Sequence, residues 1–96
     1  MLPLSPTDIL DMTLDTEKGK VMGFVLNYRT KIGNKFYPVY RVDNRHGYLH
    51  EQKYWLSPTR IPIKIDKPLK IVYDEYSENI KNNWERYKTL YINKQS

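Results

Sequence analysis

The sequence predicts an α+β fold, in which an antiparallel sheet of three to four strands packs on one long C-terminal helix. Two patterns predict it. In the middle of the chain, apolar and polar residues alternate in runs that glycine-containing loops separate, which is typical of β-hairpins. Toward the C-terminus, apolar residues recur every three or four positions for about six turns, which is typical of an amphipathic helix. Because 96 residues form one domain, we place the sheet at about 21–65 and the helix at about 67–92 of a single domain, 1–96.

The N-terminal segment predicts either a short helix or a strand. Its residues 5–8, Ser-Pro-Thr-Asp, have the chemistry of a helix start, with the serine as N-cap and the proline in the first turn. They favour a helix over about 6–11. Met12 and Leu14 alternate with polar residues, which favours a strand over about 9–15 to the same degree.

The alternating segments of the middle region define the sheet. We expect strands at 21–30, 36–43 and 48–56, and a short fourth strand at 61–65. A loop of four residues at 44–47, in which Gly47 supplies a positive φ, would pair Arg41 with His50. This register gathers apolar side chains on the face that the helix covers, notably Phe24, Leu26, Val42, Leu49 and Trp55. The opposite face stays open and carries Asn27, Arg29, Tyr37, Arg41, Asp43, Tyr48, His50 and Tyr54.

The C-terminal helix has start signals as well as an apolar stripe. We place Asp66 as its N-cap and Pro68 in its first turn. Acidic residues come early in it and basic residues come late, which complements the helix dipole. The stripe consists of Leu69, Val72, Tyr73, Tyr76, Ile80, Trp84, Tyr87, Leu90 and Tyr91.

The composition excludes some classes of protein. The absence of cysteine excludes disulfides and cysteine-ligated zinc. No apolar run approaches the roughly 20 residues that span a bilayer, and the N-terminus lacks the basic start and the long apolar core that are typical of a signal peptide, so we expect a cytoplasmic protein without a membrane partner. The net charge is +5, and residues 18–70 contain twelve Lys or Arg against three Asp or Glu. Such a positive region favours phosphate-bearing or acidic partners.

Both histidines lie in the segment from Arg41 to His50, together with an aspartate and a second arginine. This set could cleave RNA without a metal. One of His46 and His50 would take the proton from a 2′-hydroxyl and the other would protonate the leaving oxygen, since imidazole titrates near neutral pH. Arg41 would stabilise the charge that develops on phosphorus, and Asp43 would orient one imidazole. We place phosphate and base contacts on five further residues, namely Arg29, Arg45, Tyr37, Tyr48 and Tyr54.

Three alternatives stay open. His46, His50 and Asp43 would ligate the metal ion of a hydrolase, although the neighbouring arginines would oppose a cation. The same face, or the sheet edge near Pro62, would instead bind a nucleic acid or a protein without catalysis. In the third alternative the role of His50 is structural, and its side chain would only form a hydrogen bond with a cross-strand neighbour. For the RNA-directed function we expect no cofactor and no metal, and the protein would be a monomer or a homodimer.

The spacing Arg41-x-Asp43-Asn44-x-His46-Gly47-x-x-His50 is followed about thirty residues later by an I-x-x-N-W-x-x-Y sequence that ends at Tyr87. Over about residues 22–91, this resembles a group of small archaeal and bacterial proteins of unknown function with an R-Y-D-N-x-H-G-x-x-H motif. Some of these are similar to the TumE-type toxins of toxin–antitoxin pairs. The resemblance implies a toxin with an antitoxin-like protein partner. The chain departs from the pattern at Val42, where the group tends to have Tyr, and at Gln52, where a further His is common. With the residue chemistry, this predicts an RNA-directed protein, a ribonuclease-like toxin.

Overall fold

A computed structural model of the protein describes residues 1–45 and 47–95. It is an α+β structure in which every strand pairs antiparallel with the next along the chain. The strands are β1 (Leu2–Ser5), β2 (Asp8–Glu17), β3 (Lys20–Ile32), β4 (Lys35–Asp43), β5 (His50–Lys53) and β6 (Ile61–Pro62). One helix, α1 (Leu69–Gln95), follows them. The prediction of three to four strands is therefore wrong, because the described residues contain a six-stranded sheet.

The two additional strands form an N-terminal hairpin. Ser5 accepts a hydrogen bond from the backbone N of Thr7 at 3.1 Å and donates one to Oδ2 of Asp8 at 2.5 Å. These bonds make the serine the first residue of a tight turn instead of a helix cap. β2 then pairs with β3 along its whole length, with Leu10 opposite Tyr28. The N-terminal segment is therefore a strand, and it is longer than the predicted 9–15.

The helix packs on the face that the apolar alternation predicts. The ring of Tyr73 meets that of Phe24 edge-on at 5.5 Å between centroids. Further along the helix, Tyr87 meets Tyr40 edge-on at 5.1 Å and stacks on Trp55 at 5.0 Å. Such aromatic pairs add to the free energy of burial, which a thin core needs. The opposite face of the sheet faces away from the helix, as predicted.

A β-bulge in β4 changes which residues share a face. The register between β3 and β4 shifts between Tyr28 and Arg29, which leaves Val39 as an extra residue in β4. Beyond the bulge, Tyr37 pairs with Thr30 and so lies on the helix side. The prediction that Tyr37 lies on the open face is therefore wrong, because simple alternation does not allow for an inserted residue.

The connection between β4 and β5 is longer than predicted. Asp43 pairs with His50, and Arg41 pairs with Gln52. The predicted pairing of Arg41 with His50 is wrong, because the loop holds six residues, 44–49. Since the error is two residues, the odd positions of β4 still share a face with the even positions of β5. Tyr54 lies beyond the end of β5 and packs against the core, so its placement on the open face is also wrong.

A buried carboxylate ties the N-terminal hairpin to the helix. Asp8 is fully buried, and it accepts hydrogen bonds from the hydroxyl of Tyr28 at 2.6 Å and from Nζ of Lys88 at 3.1 Å. Burial alone would raise the pKa of Asp8, but the hydrogen bonds, with Ser5 first among them, lower it far below its ordinary value. The carboxylate is therefore charged at neutral pH and holds β2 and α1 together.

Candidate functional site

A row of polar residues crosses the face of the sheet that the helix leaves uncovered. Asp11 pairs with Asn27, Asn27 pairs with Arg41, and Arg41 pairs with Gln52. Residues that pair across antiparallel strands point to the same side, so one residue from each of four strands enters the row. This row is the centre of the candidate site.

Asp43 organises the side chains at one end of this face. It is fully buried. Nε of Arg41 donates to its Oδ2 at 2.5 Å, and the backbone N of Arg45 donates to its Oδ1 at 3.0 Å. Burial raises the pKa of the carboxyl, but the bonds from Arg41 and Arg45 outweigh it and the pKa is lowered. A charged Asp43 therefore fixes the position of the Arg41 guanidinium.

His50 joins the same cluster from β5. Its Nε2 lies 3.5 Å from Oδ1 of Asp43, and its Nδ1 lies 3.3 Å from the carbonyl oxygen of Tyr48. The side chain of His50 is buried, with 1 % of its surface exposed. Predicted site residues Arg41, Asp43 and His50 are thus brought together on the open side of the sheet, but the histidine is enclosed.

The loop that follows β4 is fastened to β3 by one side chain. Oδ1 of Asn44 accepts a hydrogen bond from the backbone N of Phe24 at 3.1 Å, and its Nδ2 donates to the carbonyl oxygen of Met22 at 3.3 Å. A Cβ added at Gly23 would lie 2.9 Å from Oδ1 of Asn44. The strand glycine therefore makes room for the carboxamide. Gly47, with φ of +86°, adopts the positive φ that its loop predicts.

The remaining predicted residues are spread over a wider area. Arg29 lies on the open face, where its Nε pairs with Asp11 at 2.8 Å and its guanidinium carbon lies 4.6 Å from the centre of the Phe36 ring. Tyr48 is 42 % exposed and its ring lies 5.2 Å from that of His50. The side chains of Tyr37 and Tyr54 are not part of this face, for the reasons given above. His46 lies outside the described residues.

Within residues 1–45 and 47–95, no three His, Cys, Asp or Glu side chains are grouped so that they could hold a metal ion. The proposed ligand set of His46, His50 and Asp43 includes one residue that is not described. In the described part of the chain, no helix is both long and apolar enough to cross a membrane.

Comparison with known proteins places the chain in a family. The model of a family described as a domain of unknown function (DUF7718) matches residues 1–96. The chain belongs to this family. No curated protein and no solved structure matches it significantly. The resemblance to toxins stays a prediction, and function has to be argued from the site.

Two residues of the site in this DUF7718 member were not predicted from the sequence. Asp11 completes the polar row, and Gly23 accommodates the loop. A glycine inside an otherwise regular strand is a signal of close approach and would have drawn attention to Gly23. No such signal pointed to Asp11, because its segment was predicted equally well as a helix or as a strand.

Proposed function

We propose that this protein binds single-stranded RNA on the open face of its sheet, and that Arg41 contacts a phosphate group there. The observation that carries the proposal is the fixed guanidinium of Arg41, which a buried and charged Asp43 holds at 2.5 Å on the uncovered face. An arginine that a carboxylate positions in advance loses less conformational entropy when it binds a ligand.

The contact with Asp43 leaves part of the guanidinium for a ligand. Only Nε of Arg41 bonds the carboxylate. Its two terminal nitrogens have no hydrogen-bond partner in the described part of the chain, and the side chain is 32 % exposed. Two parallel N–H groups match two oxygens of a phosphate. Arg45, which is exposed beside the same cluster, adds positive charge for a neighbouring phosphate.

Flat side chains on both sides of Arg41 support an RNA that is single-stranded. The exposed ring of Tyr48 lies toward one end of the face, and toward the other end the guanidinium of Arg29 lies over the ring of Phe36. Unpaired bases stack on aromatic rings and on guanidinium planes, and open sheet faces with helices behind them serve this purpose in known RNA-binding modules. Paired bases would be unavailable for such stacking.

The enclosure of His50 favours binding over cleavage. A general base or acid must come within about 2.6–3.2 Å of the heavy atom whose proton it transfers, and the His50 imidazole, whose side chain is only 1 % exposed, does not reach a bound ribose in this conformation. The contact with Asp43 gives His50 a different role, which is to support the carboxylate that holds Arg41. We therefore propose a binding module and no cleavage by His50.

The test is to measure the binding of a fluorescently labelled single-stranded RNA to the wild type and to Arg41→Gln by anisotropy. Glutamine keeps a donor for Asp43 but loses the charge and the fork. We expect the variant to bind about 10- to 100-fold more weakly, because charge-assisted hydrogen bonds are worth about 1.5–3 kcal/mol. The slope of log affinity against log salt should fall by about one.

Arg86→Gln is the matched control, since Arg86 is exposed on α1, on the other side of the sheet. It removes the same charge and should bind like the wild type. Equal affinities of Arg41→Gln and Arg86→Gln would contradict the proposal. The same samples are run on a gel after incubation; cleavage of the RNA by the wild type and not by His50→Ala would show that binding alone is the wrong function.

A further inference from the structure

A second surface lies on the helix side of the sheet, opposite the polar row, between the end of the β2–β3 hairpin and the start of α1. It is a groove of about 630 Å³, within the range of about 300–1,000 Å³ that is usual for binding sites. Its walls are mainly apolar, with three residues from the hairpin and two from the helix start: Leu14, Val21, Met22, Pro68 and Leu69.

The groove exists because the hairpin extends beyond the helix. Leu14 pairs with Phe24 on the helix side of the sheet. Phe24 is covered by Tyr73, but Leu14 and Met22 remain 38 % and 52 % exposed. The apolar face of the sheet therefore continues past the first turns of α1. An exposed apolar surface of this kind with a polar rim marks an interaction site more often than chance placement does.

The charges at the groove indicate what would occupy it. Lys20 and Lys70 line it, and no Asp or Glu of the described residues does. Lys70 is paired with Asp74 at 2.7 Å, but both side chains are more than half exposed, so the pair is weak and exchangeable. A second copy of this chain, with a net charge of +5, would bring like charge to the rim.

We propose that this groove binds an acidic, amphipathic helical segment of a partner protein. Apolar side chains at i, i+3, i+4 and i+7 of the segment would pack between the hairpin and the helix start, and its carboxylates would face Lys20 and Lys70. This is the groove mode of helix recognition. The charge pairs at the rim would raise the association rate and select against basic segments.

The test uses a synthetic 16-residue peptide with Leu at those positions and Glu at most others, and a second peptide in which Lys replaces every Glu. Binding is measured by isothermal titration calorimetry. The site is located by NMR, from the change in chemical shift of the Met22 methyl group. We expect the acidic peptide to bind at least tenfold more tightly than the basic one. The double variant Lys20→Glu with Lys70→Glu should reverse this preference.

A double variant at the other end of the sheet, Lys31→Glu with Lys35→Glu, is the matched control. It makes the same change in net charge at exposed positions of the β3–β4 hairpin and should keep the preference for the acidic peptide. Circular dichroism checks that all variants fold. The proposal is overturned if both double variants weaken binding of the acidic peptide equally, or if neither peptide shifts the methyl resonance of Met22. It is also overturned if sedimentation shows a dimer and the Met22 methyl resonance changes with dimer formation.

Discussion

The buried carboxylate of Asp8 is predicted to be the largest single polar contribution to stability. Replacing Asp8 by Ala removes the acceptor of four bonds, from Ser5 at 2.5 Å, Thr7 at 2.9 Å, Tyr28 at 2.6 Å and Lys88 at 3.1 Å. Tyr28 is fully buried. In the variant its hydroxyl would therefore remain buried but would lose the carboxylate that accepts its hydrogen bond. Leaving a buried donor unsatisfied costs about 1–3 kcal/mol, and a hydrogen bond to a charged group contributes about 1.5–3 kcal/mol, so the variant should lose about 3–5 kcal/mol.

That cost is a large part of the free energy of unfolding, which for this length is about 5–14 kcal/mol. It corresponds to a fall in Tm of about 15–30 °C. Lys88→Met should cost only about 1–2 kcal/mol, because the lysine is 30 % exposed and the three hydroxyl donors of Asp8 stay in place. The free energies are measured by urea unfolding, followed through the fluorescence of Trp84, whose ring lies 6.2 Å from that of Tyr28.

The same carboxylate predicts a dependence on pH. The fold lowers the pKa of Asp8 below its ordinary value of 3.8. Its stabilising contribution is therefore complete above that value and is lost as the pH falls through the folded pKa. Between about pH 5 and pH 2 the wild type should lose more stability than Asp8→Ala. Asp11→Ala, which removes a partly exposed carboxylate on the same strand, is the control. If Asp8→Ala costs no more than Asp11→Ala, the reasoning about burial is refuted.

Two further predictions concern the site. Gly23→Ala should destabilise the fold by about 1–3 kcal/mol, because the new Cβ would lie 2.9 Å from Oδ1 of Asn44 and must displace that atom. In urea unfolding, adding Asn44→Ala should partly relieve this cost. Strictly additive free energies of the two changes would contradict the prediction. Asp43→Asn should weaken RNA binding, but by less than Arg41→Gln does, because it releases the guanidinium and leaves its charge and its terminal nitrogens in place; anisotropy measures this, and an unchanged affinity would show that the ion pair does not position Arg41.

Long, regular patterns were the part of the fold that the sequence predicted well. The strands β3 and β4 and the helix α1 were predicted to within about three residues, because their alternation or stripe extends over many positions. The N-terminal hairpin was ambiguous, since the segment 5–8 has residues that suit a helix cap and a tight turn equally. Its outcome depends on the pairing of Leu10 with Tyr28, which is a tertiary contact.

The site was predicted in composition but not in detail. Arg41, Asp43 and His50 lie together on the open side of the sheet, as the alternation indicated. Alternation cannot reveal the bulge at Val39, the loop that Asn44 fastens to β3, or the full burial of His50, because each depends on contacts between distant segments.

In the proposed complex, RNA lies on the polar row beside Arg41. The most direct test is to titrate single-stranded RNA into isotope-labelled protein and follow side-chain amide resonances by NMR. We predict that the resonances of Asn27 and Gln52, which flank Arg41 in the row, shift on binding, while that of Asn82, exposed on the helix, stays unchanged. Shifts at Asn82 with none at Asn27 or Gln52 would contradict the account.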